Sequence, residues 1–282
     1  MDISRWGWLL ADMNISRIED KFIVISEPTD VPVYDFNFDL HFRCTHPQSF
    51  NKEELCILRV GAIPDYRSEF SAKADLGLRL INSPSEHACA SELEVWYPKL
   101  ADLTPRTKVF AQLPPVEEIE ATFTWPVFIK GSRQTSRHNP DLSIVSDATQ
   151  YLQISKAYLS DPILHWQKPV VREFVPLRRV PGQVPGKIMP SLEFRSFWWH
   201  GECVGWGEYW YQVPRYQTDD IDTGLGVAEE AARRLEIPFL VVDFAKTADS
   251  RWILIECNDA QESGYAAIPA QTLWRNVLKL PC

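Results

Sequence analysis

The chain has 282 residues, 45% of them hydrophobic and 24% charged, a balance that suits a globular protein with core material for one large domain or two joined ones. No apolar run approaches the ~20 residues of a membrane helix, and the stretch Trp8-Leu9-Leu10-Ala11 stops at Asp12, too soon for a secretory core. The net charge of −9 contains no basic tract, which disfavours nucleic acid as the main partner.

Six scattered cysteines, Cys44, Cys56, Cys89, Cys203, Cys257 and Cys282, include no CxxC pair and no Cys/His spacing of a zinc site. Free thiols in a cytoplasmic protein are the expectation. Most of the negative charge lies early: residues 1–105 carry a balance of −7 and residues 106–282 only −2. Phosphate-binding cations, if present, should therefore be local and few.

In chain order, Phe22-Ile23-Val24-Ile25 and Cys56-Ile57-Leu58-Arg59-Val60 read as strands. Residues 85–100 read as one helix, with Ser83 or Ser85 as cap, Pro84 in the first turn and an end near Pro98. Thr104-Pro105 marks a boundary between an N-terminal domain, 1–104, and a second domain, 105–282. Trp125-Pro126-Val127-Phe128-Ile129-Lys130 is a strand that runs into Gly131, and residues 169–175 form another. A proline-rich excursion, 176–190, precedes a hairpin that turns at His200-Gly201-Glu202. Val227, Ala231 and Leu235 recur at helical spacing. Two strands, 239–245 and 252–257, and a helix around 272–280 complete an α+β or α/β pattern.

The last strand pair carries the chemistry. Alternation along a strand places Trp252, Leu254, Glu256 and Asn258 on one face and Ile253, Ile255 and Cys257 on the other. Asp243 interrupts the apolar run Phe239-Leu240-Val241-Val242 on the partner strand. Two acids and an amide across a hairpin suit a hard cation such as Mg²⁺. Pairing of the same acids with Lys or Arg, or exposure to solvent, is the alternative, and the local pattern leaves it open.

Taken together, these segments resemble the ATP-grasp superfamily, and within it the compact clade of ATP-grasp proteins carried by bacteria and their phages. The resemblance runs from about residue 80 onward and implies an α+β ATP-grasp fold, in which an N-terminal α/β domain is followed by a two-lobed domain with antiparallel sheets. It implies that Lys130, at the end of Pro126-Val127-Phe128-Ile129-Lys130, contacts the α- and β-phosphates of ATP. The following Gly131-Ser132-Arg133-Gln134-Thr135-Ser136-Arg137 is similar to the mobile loop over the phosphates, with Arg137 as a further contact. Arg172, Glu173 and Phe174 match the hinge against the adenine edge, and Arg195 in Glu193-Phe194-Arg195 the arginine aimed at the triphosphate. Asp243, Glu256 and Asn258 match the metal ligands, for Mg²⁺ or alternatively Mn²⁺.

The residues fit these roles chemically. ATP brings about four negative charges and needs cations beside its phosphates, and arginine can fork two oxygens at once. The function implied is an ATP-dependent carboxylate–amine ligase working through an acyl phosphate, on a small-molecule or peptide carboxylate, with homodimerisation left open. A protein of the same fold that binds ATP without turnover is the alternative. A basic residue that many relatives carry near the entry helix is replaced by Ser91-Glu92-Leu93-Glu94, with only Arg106 and Lys108 nearby. The aromatic hairpin (Trp198, Trp199, Trp206, Tyr209, Trp210, Tyr211) is expected to pack the sheet. His138, a lone loop histidine, is expected to be solvated.

Overall fold

The computed structural model describes residues 14–26, 36–50, 53–136 and 138–281. No helix among them is long and apolar enough to cross a membrane. Three sheets organise the chain.

The first sheet is built from β1 (Asn14–Ile18), β2 (Phe22–Ser26), β3 (Cys44–Thr45), β4 (Glu54–Arg59) and β5 (Leu78–Leu80), in the order β3-β1-β2-β4-β5. Its β2–β4 and β4–β5 pairs are parallel, and β2 and β4 are buried along almost their whole length, as expected for strands covered on both faces. Between β4 and β5 runs α1 (Tyr66–Asp75), a helix the sequence reading did not identify. Its apolar stripe is thin, since only Tyr66 and Lys73 are buried.

The expected helix over 85–100 is two helices, α2 (Pro84–Ser91) and α3 (Leu93–Leu100). Ser83 caps α2 in a reciprocal capping box with Glu86. Glu92 between them is extended, with ψ 115, and Leu93 N–H leaves the helix ladder to donate to Ser132 O at 3.2 Å. Pro98 lies inside α3 and does not end it.

The second sheet is antiparallel, in the order β6 (Thr107–Val109), β9 (Pro169–Glu173), β7 (Val127–Gly131), β8 (Ile144–Val145). Three helices lie along this stretch of chain: α4 (Val116–Glu120), α5 (Pro140–Ser143) and α6 (Ala148–Ser160). Ile119 of α4, Leu142 of α5 and Tyr151 and Tyr158 of α6 share one apolar cluster with Val127, Ile129 and Val171 of the strands.

The third sheet is antiparallel, in the order β11 (Glu202–Glu208), β10 (Glu193–Trp199), β12 (Phe239–Lys246), β13 (Trp252–Asp259). The β10–β11 turn has positive φ at both His200 (46) and Gly201 (84), the geometry that continues strand twist through a two-residue hairpin. Helix α7 (Ile221–Leu235) buries Ala228, Ala231, Ala232 and Leu235 against one face of this sheet. The other face meets α8 (Ala270–Lys279) and the first sheet in a cluster that joins Phe22, Val24 and Ile57 to Phe197, Trp199, Phe239 and Trp274.

Two buried polar groups shape this assembly. The Asn82 side chain is fully buried; its amide donates to Phe239 O at 2.8 Å and its carbonyl accepts from Phe239 N–H at 3.0 Å. A side chain thus supplies β12 with the pairing a strand would have given. Glu193, at the head of β10, accepts from Trp210 Nε1 at 3.0 Å and Ser191 Oγ at 3.2 Å. Burial, reinforced by Asp243, pushes its carboxyl up to about 8.

Two outcomes follow. Asn82→Ala strands both backbone groups of Phe239 and should cost about 2–4 kcal/mol in urea unfolding; a loss below about 1 kcal/mol would discount the link. For Glu193, the folded state keeps its proton up to about 8, while the unfolded carboxyl releases it near 4.5. The stability it contributes is full below the unfolded value and lost as pH rises to the folded one. Urea midpoints of Glu193→Gln should therefore gain on wild type between about pH 5 and 8, by on the order of 1–3 kcal/mol; parallel curves would refute the assignment.

Candidate functional site

Lys130 closes β7 and is almost fully buried, where only a paired cation is tolerated. Its ammonium forms an ion pair with Glu256 on β13, linking the second sheet to the third. Burial pushes the Lys130 pKa down against the pull of Glu256. Burial raises the carboxyl of Glu256 in turn, but Lys130 outweighs this and holds it below its usual range. Asn258 Nδ2 donates to Glu256 Oε1 at 2.7 Å.

Beside this pair, Arg195 on β10 grips Asp243 on β12 through Nε (2.8 Å) and Nη2 (2.7 Å). Its Nη1 donates to Gly264 O at 3.0 Å, and its guanidinium lies 5.0 Å over the Tyr209 ring. Burial works against the Arg195 charge, and Asp243 more than offsets it, so its pKa rises. In the β12–β13 register Asp243 stands opposite Glu256, so the two ion pairs are neighbours.

The register slips between Asp243 and Phe244, where Leu254 and not Ile255 is the next partner. This bulge breaks the alternation expected from the sequence. Leu254 and Cys257 both face the core beneath α7, while Ile253, Ile255 and Glu256 line the cavity on the other side. Glu256 and Asn258 remain neighbours through their hydrogen bond.

Arg172 on β9 reaches the same place. Its Nε donates to Thr107 Oγ1 at 3.0 Å and its Nη1 to Ile255 O at 2.7 Å, while Nη2 is buried with no partner. Burial pushes this guanidinium down to about 10. Its neighbour Glu173 ends β9, with its N–H donating to Arg106 O at 2.8 Å, and Phe174 follows past the ladder. Arg137 lies outside the described residues.

Two cavities meet at these side chains. The first, about 700 Å³, has Phe128, Phe174, Met189, Ile253 and Ile255 in its wall, with Lys130, Arg172, Glu173, Glu193, Asp243 and Glu256. The second, about 560 Å³, takes Arg133, Arg195, Tyr211, Asn258, Glu262 and Gly264. Thr135, His138, Lys187, Tyr209 and Glu256 line both. The sequence reading singled out neither Lys187 nor Arg133, and it set His138 aside. His138 is half-buried, with Nε2 2.7 Å from Tyr209 Oη, and burial pushes its pKa down to about 4. The hairpin aromatics divide: Trp198, Trp199 and Trp210 are buried in the sheet, whereas Tyr209 lines both cavities.

The expected mobile loop is anchored at its start. Gln167 Oε1 accepts from the N–H groups of Arg133 and Gln134, both at 2.8 Å, and leaves no room for a Cβ at Gly131. Ser132 N–H donates to Lys168 O at 2.9 Å. Arg133 is held by Glu262 (Nη2, 2.7 Å) and by Ile63 O (Nη1, 2.8 Å). From the first sheet, buried Arg59 donates to Ala260 O and, at 2.7 Å, to Ser263 O, bracing the segment that presents Gly264 O to Arg195.

The donor set suits a magnesium nucleotide. Three cations, Lys130, Arg172 and Arg195, converge with two carboxylates, and one guanidinium nitrogen awaits an acceptor. Among the described residues no three His, Cys, Asp or Glu side chains could hold a metal by themselves. Asp243, Glu256 and the Asn258 amide would supply part of a shell that phosphate oxygens and water complete, as Mg²⁺ prefers.

Comparison with known proteins agrees. A RimK domain protein ATP-grasp from Sphaerobacter thermophilus DSM 20745 superposes with a TM-score of 0.52 at 15% identity, over 77% of this chain and 76% of that one. The ADP complex of purK, an N5-carboxyaminoimidazole ribonucleotide synthetase, gives 0.52 at 12% identity over 73% of this chain and 53% of its own, so the match spans about half of that synthetase. At these identities the likeness shows the fold, which is ATP-grasp. No sequence among curated proteins matches this chain. Residues 96–277 match a family of ATP-grasp domains, described as family 3 of its clade, and the chain belongs to that family.

Proposed function

We propose that this protein is an ATP- and Mg²⁺-dependent ligase that joins a carboxylate to an amine or related nucleophile through an acyl phosphate. The observation that carries the reading is the junction of two cavities at a buried set of alternating charges, Lys130–Glu256 beside Arg195–Asp243. ATP, as substrate, supplies the phosphoryl group that activates the carboxylate, and Mg²⁺ offsets charge on the phosphate oxygens.

The chain's own residues divide the remaining work. Phe128, Phe174, Ile253 and Ile255 give the first cavity apolar walls suited to a planar base. Lys130, Arg172 and Arg195 point cations at the phosphates, with Arg137 as a further contact, while Asp243, Glu256 and Asn258 hold the metal. Binding exchanges partners: the ammonium and guanidinium turn from carboxylate to phosphate as the carboxylates turn to the metal, so net charge stays nearly balanced in a site shielded from water. We take residues 1–104 as the unit that shapes the acceptor side and 105–282 as the nucleotide-binding unit. The free thiols of Cys44, Cys56, Cys89, Cys203 and Cys257 suit the reducing cytoplasm.

One observation favours a second reading, ATP binding without turnover: in this structure both carboxylates are already neutralised by cations. Calorimetry with ATP, with Mg²⁺ and after chelation by EDTA, on wild type and Glu256→Gln, decides between the readings. Glu256→Gln preserves the shape and the acceptor for Asn258 while removing the charge. Wild type should bind ATP only with Mg²⁺, and the variant at least about tenfold more weakly, roughly 1.4 kcal/mol. ADP release by wild type with a panel of acids and amines supports the ligase, and tight binding with no release supports the second reading. Wild type that fails to bind Mg·ATP, or a folded variant that binds it equally well, sinks the site.

A further inference from the structure

We propose that Lys187 binds an oxyanion at the junction of the two cavities, at the point where the phosphoryl-bearing and carboxylate-bearing groups must meet. This rests on the ligase reading and adds to it a residue in the proline-rich excursion that the ATP-grasp resemblance did not include.

The argument begins with charge. Around the junction Lys130 is paired with Glu256, Arg195 with Asp243 and Arg133 with Glu262. Lys187 lines both cavities, is half-buried, and has no acid partner among the described residues. A cation left unpaired in a concave, partly desolvated site is an attractor for an anion. The excursion is fixed in place at this point, because Ile188 N–H donates to His138 O at 2.8 Å and His138 is in turn held by Tyr209. Lys187 is near enough to His138 to help push its pKa down, after the larger effect of burial, so the imidazole beside it is neutral and leaves the ammonium unopposed. Gly186, with φ +71 and open space where a Cβ would stand, supplies the turn that delivers the next side chain inward.

The oxyanion has two sources: the terminal phosphate of the nucleotide or the carboxylate of the second substrate. Trace acetylation of the intact protein, read at Lys187 by peptide mass spectrometry, separates them. The probes are Mg·ADP, a non-hydrolysable Mg·ATP analogue, inorganic phosphate alone, and acetate or succinate added to Mg·ADP. Slowing of Lys187 labelling at least about fivefold by the triphosphate analogue beyond ADP assigns the phosphate. The same slowing by the carboxylates on top of ADP assigns the substrate. In parallel, calorimetry of the protecting anion should weaken about tenfold in Lys187→Met and recover in Lys187→Arg. Labelling untouched by every probe, or a Met variant with wild-type anion affinity, overturns the inference. If neither nucleotide binds while phosphate still protects Lys187, the ligase reading fails and the inference stands. If nucleotides bind and Lys187 remains unprotected, the reverse holds.

Discussion

Two carboxylates buried opposite each other on adjacent strands repel strongly unless each receives its own cation, and the site is arranged around that requirement. Asp243 takes Arg195 from the neighbouring strand of its own sheet, through a bidentate fork. Glu256 takes Lys130 from a different sheet. The second ion pair is therefore a bridge across the cleft as well as a local neutralisation. Removing one partner of such a pair leaves an uncompensated buried charge, typically a loss of about 3–5 kcal/mol. The same arrangement that makes the cleft stable on its own makes it receptive to a ligand that carries both signs, as a metal-bound polyphosphate does.

The flanking cavities inherit their character from this centre. On one side the bulge at Ile255 turns two isoleucines toward the space beside Glu256, giving apolar walls. On the other side the polar segment 262–264 and Arg133 face the opening. A one-residue irregularity in the β12–β13 ladder thus allows one strand to serve the core beneath α7 and the cavity at the same time. Gln167 contributes from a distance by fixing the backbone of the loop after Lys130.

Much of the fold was legible in the sequence. Apolar runs marked β2, β4, β7 and β9, the turn at His200-Gly201 marked the hairpin, and the 3.6-residue spacing from Val227 to Leu235 marked α7. Helices α1 and α6 escaped because few of their residues are buried, Tyr66 and Lys73 in one and Tyr151 and Tyr158 in the other, so no stripe stands out. The break at Glu92 was invisible because its cause, the Leu93–Ser132 hydrogen bond, is tertiary. At the site, acids in an apolar strand were conspicuous, and Asp243, Glu256 and Asn258 do come together with Lys130, Arg172 and Arg195. Strict alternation failed at Leu254 because a bulge leaves no compositional mark. Lys187 and Arg133 gave no signal, since a lysine in a proline-rich stretch and an arginine in a polar loop ordinarily face water.

Arg59 gives the first sheet a stake in the chemistry of the third. From β4 it holds the carbonyls of Ala260 and Ser263, and the adjoining Gly264 carbonyl receives Arg195. The family match begins only at residue 96, yet a chain cut there would lose the brace behind that carbonyl. The N-terminal unit is consequently a poor candidate for free exchange between relatives. A replacement would have to bring a buried cation to the same spot, which ties the evolution of the two units together even where their sequences drift apart.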